Sequence, residues 1–585
     1  MDDFDNLSYT TVTAAASIYL GNCAINSTHY NSVRDSFLKS FHDDGKKHEF
    51  LEKYHKCATN QERIDLFRPY FNWTSVPTEF LSGRIGWQKS AALSNALRLQ
   101  GGEENDHTHS LRAYNLSLSF APPNSVQEAL SYAARSALFQ RISEFKLAQR
   151  DAHLAKCCAS FSDLDDTIRH QIEERAKNNA NGASITGNLT LGKVLCEDMV
   201  AMIRRSPNSD NLLHGATSGV ELKVDPIAGR KLVATRDFPA GSPLLYDEPY
   251  VILPENILGW NTSRCSTCAQ PILGGVPDPL SPFATYCSAD CLSKPAALPA
   301  TILSYIQACP SLHQALLPLT VLYKLSRTQT PTQSSVHSDP SRSHTSIFNL
   351  IQHKSIPWKF DSSNSVPPEF TALFVSQLAA ELTTNLSSPL FYPDPALLLH
   401  LLESLPYNVV TLSTPPTSPA GGGPYATGVF SRIALANSSC HPNALLYKNS
   451  RSPVGLLVSC RRISKGEEIL LCYKSHWSRE SIHDRRAWLL THYKFDCACA
   501  ACQKGWEEKD MQSELVFQGD LLQKAAHFEE DFEQVIALVE EGEWREGFDA
   551  AVRCCDQSGH FDPRWDMVVA MEEILRRIVI QLQEN

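Results

Sequence analysis

Two sets of cysteines stand close enough together to do metal chemistry. Cys497-x-Cys499-x2-Cys502 places three thiols within six residues. A structural zinc site is closed by four ligands, so the fourth must come from elsewhere. The best candidate is Cys440, in the segment Asn437-Ser438-Ser439-Cys440-His441-Pro442-Asn443. Cys265-x2-Cys268 and Cys287-x3-Cys291 supply a second set, with eighteen residues between the two pairs. Thiolates at such spacing suit tetrahedral zinc, and a metal would stabilise a segment with little core of its own. Spacing alone also allows reduced structural cysteines in both places. The vicinal pairs Cys157-Cys158 and Cys554-Cys555 sit in helical contexts and read as packing residues. His-Glu-x-x-His is absent, so a zinc-dependent hydrolase is a poor reading.

The elements that must position these cysteines change character along the chain, which divides into a multidomain α+β architecture. Residues 1–85 read as helical, with Phe37, Phe41, Phe50, Leu51 and Tyr54 near helical spacing. Residues 86–175 read as tetratricopeptide-like helical repeats. There Ala134, Arg135, Ala137, Phe145, Ala148, Asp151 and Ala155 fall at the small and aromatic packing positions, echoed by Ser110, Tyr114 and Asn115. A generic helical hairpin would show much of the same pattern. Beyond residue 221 the period changes to short strands: Lys231–Phe238, Pro243–Leu253, Ala444–Tyr447, Val454–Ile463 and Glu468–Tyr473. No Gly-x-Gly-x-x-Gly opens a helix after a strand, so the β fold is not a dinucleotide-binding sheet. Residues 326–346 and Thr414–Pro424 are too polar or too rich in Pro and Gly for regular structure. Helical periodicity returns over 506–585, where Ala525, Phe528, Phe532, Ile536 and Val539 share a face.

Composition bounds the function. The chain has 585 residues, too many for one core. A net charge of −11 argues against a nucleic-acid backbone as the main partner and suits a basic protein segment. The acidic start Met1-Asp2-Asp3 is unlike a secretory signal, and no apolar run is long enough to span a bilayer. Eighteen cysteines are then expected to be intracellular thiols or metal ligands, with the cytoplasm and nucleus as the expected address.

Three segments in order carry a family resemblance: Asn437–Asn443, Gly466–Tyr473, and Tyr493-Lys494-Phe495-Asp496-Cys497-x-Cys499-x2-Cys502. Together they resemble the SET-and-MYND lysine methyltransferases, in the branch that carries tetratricopeptide-like helices before SET. The resemblance implies a SET N-terminal part over 221–260 and a MYND zinc module over 261–295. A helical insert over 296–410 with a disordered loop at 326–346, a SET core over 411–480 and a post-SET segment over 481–505 would follow. It implies that Cys440 joins Cys497, Cys499 and Cys502 on one structural zinc, and that Cys265, Cys268, Cys287 and Cys291 hold another. S-adenosyl-L-methionine is the implied cofactor, approached by Ala228, Gly229 and Arg230, contacted by Asn437 and Ser438, and walled by Tyr493 and Phe495. Tyr473 matches the tyrosine at the methyl-transfer site. The implied partner is a lysine-containing protein substrate, histone or non-histone, with a chaperone or other protein on the repeat helices.

The chain departs from the family pattern in three places. Ser438 stands where the family has histidine, and Lys231 where the turn usually has a second glycine. Only one set of MYND ligands remains, and the lone Cys309 cannot replace the other. These departures keep a second expectation alive: a catalytically weak SET-fold scaffold or chaperone-adaptor that binds through its helical repeats.

Overall fold

A computed structural model describes residues 27–40, 47–77, 89–177, 191–210, 213–225, 229–254, 264–279, 284–293, 298–307, 309–328, 366–385, 391–414, 423–448, 454–512 and 517–584. Ala228, most of 326–346 and most of Thr414–Pro424 lie outside these residues, as does Phe41. The chain divides into two compact units. The first comprises described residues within Met1–Asn188, Val251–Val336 and His353–Pro406, and the second those within Leu189–Tyr250 and Tyr407–Asn585.

In the first unit, helices Ala91–Glu103, His107–Phe120, Val126–Arg141, Phe145–Cys157 and Asp166–Lys177 follow one another. Each of the first three begins at a residue whose side chain caps free N–H groups: Ser90, Asp106 and Ser125. Of the positions that the repeat reading expects to be packed, Ala148, Ala155, Arg135, Asp151, Ser110, Tyr114 and Asn115 are buried, while Ala134 and Ala137 are half-buried. Phe145 departs from that reading. It is the first residue of its helix and is 39% exposed, while Phe139 and Tyr132 from the preceding helix fill the core. Asp151 accepts from Arg135 at 2.6 Å, Asn115 Oδ1 accepts from Arg135 at 2.7 Å, and Arg135 also donates to the Gly275 carbonyl at 2.9 Å. A Cβ at Gly274 would meet Phe139 at 2.5 Å, and one at Gly275 would meet Thr285 at 2.1 Å. Gly274 therefore lets the loop of the cysteine segment lie directly on the helix carrying Phe139, and Gly275 lets it fold tightly on itself.

The N-terminal helices of this unit pack on the insert helix Pro368–Asn385, with Phe37 4.9 Å from Phe370 and Tyr30 5.2 Å from Phe374. The helix Leu316–Thr328 runs into the stretch expected to be irregular, adding a turn before the polar sequence takes over.

In the second unit, Ala444–Lys448, Gly455–Ser459 and Pro243–Asp247 form an antiparallel sheet in that order. Val220–Asp225 and Gly229–Ala234 form a hairpin, and Val409–Thr414 pairs with Gly423–Val429. The single strand expected over Pro243–Leu253 is interrupted after Asp247. The buried Asp247 carboxylate accepts from the backbone N–H groups of Arg432 and Ile433, and Pro249 has no N–H for a ladder. Helices Asp520–Glu540, Trp544–Gln557 and Asp566–Glu584 share a core with Tyr447, Leu456 and Val458 of the sheet. On the first of them the fully buried position is Val535 rather than Ile536, beside Ala525 and Phe528. Cys554 and Cys555 are buried in that core, and Cys158 in the repeat core, whereas Cys157 is exposed. No helix among the described residues is long and apolar enough to cross a membrane.

Candidate active site and thiolate clusters

Asn437–Ser438 pairs in parallel with Leu470–Leu471, which fixes the segment that leads into Cys440. Helix Ile482–Tyr493 starts at Ser481, whose hydroxyl accepts from the Asp484 N–H, and stops at Lys494 in a left-handed conformation of φ 59°. That reversal turns the chain toward Phe495 and Cys497, and the short helix Ala500–Gln503 then brings in Cys502. Cys440 Sγ lies 3.6 Å from Cys502 Sγ, and the Cys440 N–H donates to Cys499 Sγ at 3.4 Å. The four ligand atoms of Cys440, Cys497, Cys499 and Cys502 all lie within 4.8 Å of one another. A disulfide needs about 2 Å between sulfurs, whereas zinc bonds of about 2.3 Å in a tetrahedron set sulfurs about 3.8 Å apart. The spacing fits a metal. Hydrogen bonds from Cys440, Cys497 and Cys502 pull the Cys499 thiol below its ordinary value, while the same contacts push the Cys440 thiol up, so the four share their protons as one group.

Sequence reasoning missed Arg485, whose charge is buried beside this cluster. It donates to the carbonyls of Trp477 at 3.0 Å and Trp506 at 2.9 Å, and it also meets the Glu480 carbonyl. Cys440 and Cys502 raise its affinity for its proton against the opposing effect of burial. An arginine three residues into a helix carried no sign of this role in the sequence.

In the first unit Cys265, Cys268, Cys287 and Cys291 also converge within 4.8 Å. Cys268 Sγ is 3.7 Å from Cys287 Sγ, which is 3.5 Å from Cys291 Sγ. Cys309 is buried apart from them in the helical insert, beside Tyr30 and Tyr305.

Gly229 has φ 72°, and an added Cβ would meet nothing within 4 Å, so its backbone faces open space. The neighbouring Arg230 has a buried Nη2 with no hydrogen-bond partner among the described residues. A buried, unpaired guanidinium nitrogen next to an accessible glycine turn fits a carboxylate such as the methionine end of S-adenosylmethionine. Asn437 uses its amide hydrogens on the Arg230 carbonyl at 3.2 Å and Glu468 Oε1 at 2.8 Å, leaving its own oxygen to accept from a ligand. Lys231 does not fill this turn. Its ammonium reaches Asp225 across the hairpin at 3.0 Å. Ser438 is half-buried beside Asn437, in the same short strand.

Tyr473 donates its hydroxyl to the Ala436 carbonyl at 2.8 Å, immediately before Asn437. Burial pushes its proton affinity up, with Tyr493 and Glu468 adding to the effect, so the phenol stays neutral. Its ring centroid is 4.8 Å from that of Tyr493, which is 6.5 Å from Tyr407 and 6.4 Å from Phe495. Tyr407, Tyr473 and Tyr493 line one cleft of about 510 Å³. Tyr407 was missed because it belongs to no motif. It ends a helical turn just before a strand, and only the fold brings it to the other two.

The strand Gly229–Ala234, the Asn437 segment and Tyr473 all fall within residues 229–474, which match the SET domain family model. Protein-lysine N-methyltransferase SMYD4 of Homo sapiens is 24% identical over 528 residues, covering 68% of this chain and 65% of that protein. The SMYD4 of Danio rerio is 22% identical over 522 residues, covering 73% and 68%. Histone-lysine N-methyltransferase SMYD3 of Homo sapiens is 36% identical over 84 residues, 14% of this chain and 19% of that protein. The chain thus spans about two thirds of the length of the SMYD4 relatives it matches. Residues 229–474 match the SET domain, and beyond them the chain is similar to SET-and-MYND lysine methyltransferases.

Proposed function

We propose that this chain is an S-adenosylmethionine-dependent protein-lysine N-methyltransferase acting on histone or non-histone protein substrates. The observation that carries the reading is the Tyr473 hydroxyl: committed as donor to Ala436, it sits at an aromatic cleft and beside the Asn437 segment. S-adenosylmethionine, when bound, supplies a methyl group on a positively charged sulfur. Gly229, Arg230, Asn437 and Ser438 would hold it, with Tyr493 and Phe495 walling it.

The protein's own share of the work is placement and desolvation. A lysine amine must be neutral to attack, and an aromatic, water-poor cleft disfavours the ammonium. Because the Tyr473 proton is spent on Ala436, its oxygen lone pairs remain to accept from the amine and to face an electron-poor methyl. Holding the two reactants in line is the main contribution expected of such a site. The thiolate clusters have closed sets of four donors and stay outside the chemistry.

Transfer of a radiolabelled methyl group to protein, by the full chain and by Tyr473→Phe, tests the assignment. Loss of at least about tenfold in rate is expected, with S-adenosylmethionine binding retained by calorimetry. Equal labelling by both would remove Tyr473 from the mechanism, and no binding at all would leave the scaffold reading. Against a chaperone-adaptor stands the engagement of the repeat's polar groups: Asn115 and Arg135 already bind the Leu273 and Gly275 carbonyls of this same chain.

A further inference from the structure

A third group of ligand-type side chains lies in the second unit, apart from both thiolate sets: His441, His476 and Glu572. His441 follows the thiolate Cys440, His476 follows Tyr473 by three residues, and Glu572 lies on the helix Asp566–Glu584. His441 Nε2 is 3.2 Å from Glu572 Oε1, and His476 Nε2 is 3.2 Å from Glu572 Oε2. One donor atom from each residue lies within 4.8 Å of the others. Glu572 and His476 are buried, with side-chain exposures of 3% and 2%.

His441 makes a hydrogen bond to Glu572, whereas His476 Nε2 meets the other carboxylate oxygen at 3.2 Å in ion-pair contact but outside good hydrogen-bond alignment. A buried imidazole nitrogen held close to a carboxylate without that alignment is better satisfied by an ion between them. Its other nitrogen, Nδ1, is held by Ser478 Oγ at 2.8 Å, the outer-shell support that metal-binding histidines have. Donors at about 2.0–2.2 Å from one ion stand about 3.3–3.6 Å apart in a tetrahedron, close to each 3.2 Å contact, with each histidine facing a different oxygen of Glu572. Arg576, a cation near the cluster, meets the Glu573 carboxylate at 4.0 Å through Nη1 and keeps a buried Nη2 without a hydrogen-bond partner among the described residues.

We infer that His441, His476 and Glu572 form a third metal site, for zinc or a similar divalent first-row ion, with solvent at the fourth position. Two imidazoles and one carboxylate are a donor set suited to zinc. The ion would tie the C-terminal helix to the loop that carries Cys440 and to the segment that carries Tyr473. His476 and Arg576 line the same cleft as Tyr473, so the tie would brace one wall of it.

Metal counting on the full-length chain tests this directly, with zinc and then cobalt as probes. Wild type is expected to hold three ions per chain, one for each group. Glu572→Gln and His476→Ala are each expected to lose one ion while keeping the intense sulfur-to-cobalt absorption of both thiolate sites. Saturation of wild type at two ions overturns the site, as does retention of all three by folded variants. If both variants fail to fold, zinc K-edge absorption of wild type decides. A shell mixing sulfur with nitrogen and oxygen supports the site, and sulfur alone overturns it.

Discussion

Arg230 and Lys231 are neighbours with opposite fates. The first keeps a buried guanidinium nitrogen unpaired, and the second spends its charge on Asp225. If Arg230 meets the cofactor's carboxylate, Arg230→Met removes a charge-assisted hydrogen bond of about 1.5–3 kcal/mol. Affinity for S-adenosylmethionine should then fall roughly tenfold to a hundredfold. Lys231→Gly, which restores the family's turn, should leave affinity unchanged. Calorimetric titration of the two variants separates these outcomes. A large gain from Lys231→Gly would mean that the side chain does obstruct the turn. The sequence marked Lys231 as a departure, yet its consequence depended on the hairpin register that sets Lys231 opposite Lys223 and within reach of Asp225. Asn443 shows the converse. It reads as part of the cofactor motif, but its buried amide secures Glu467, the Glu468 carbonyl and the Leu470 N–H.

Among the elements, the helices from Ala91 to Lys177 carry a buried ion pair. Arg135 and Asp151 are fully buried and joined, and Arg150 also holds Asp151 at 2.8 Å, so Arg135→Ala removes one of two cationic partners and should cost about 1.5–3 kcal/mol. Chemical denaturation of the full chain, followed by Trp and Tyr fluorescence, should show that loss in the first unit's transition. A change under 1 kcal/mol would mean that water replaces the guanidinium. Lys89, at the start of these helices, is pushed down to about 8 by burial, against the pull of Glu128 and Asp278. The unfolded chain keeps an ordinary lysine value of 10.5, so between about pH 8 and 10.5 it binds more protons than the folded chain and stability rises with pH. Below about pH 8 the burial cost is present in full. Lys89→Met should therefore melt higher than wild type at pH 7, with the gap closing as pH rises toward 10. A gap that does not change with pH would show Lys89 to be solvated. The helices of this region were legible, since apolar residues at helical spacing are a local property. The exposure of Phe145 was not, because its place at a helix start depends on where the preceding helix ends.

At the scale of the whole molecule, each unit carries its own group of four thiols: Cys265, Cys268, Cys287 and Cys291 in the first, Cys440, Cys497, Cys499 and Cys502 in the second. Both draw together segments distant in sequence or poor in core, so a metal bound there would add its binding energy to folding in each unit. Chelation should lower the melting temperature of both units and expose the segment from Tyr493 to Cys502 to proteolysis. Acid should act in the same direction, because bound thiolates must be protonated for the metal to leave. Simultaneous metal analysis and thermal melts would check this. Full zinc release without any fall in melting temperature would make the clusters dispensable.

The sequence by itself determined the cysteine clusters, the SET motifs with their order, and the helical character of both ends. These are set by residue types at short spacing, where local chemistry limits the choices. The tertiary structure alone decided which distant groups meet. It brought Tyr407 to Tyr473 and Tyr493, Arg485 to the thiolates, Arg135 to the Gly275 carbonyl, and Glu572 to His441 and His476. Such meetings follow from how helices and sheets bury their apolar faces, a property of the packed chain that no segment carries alone.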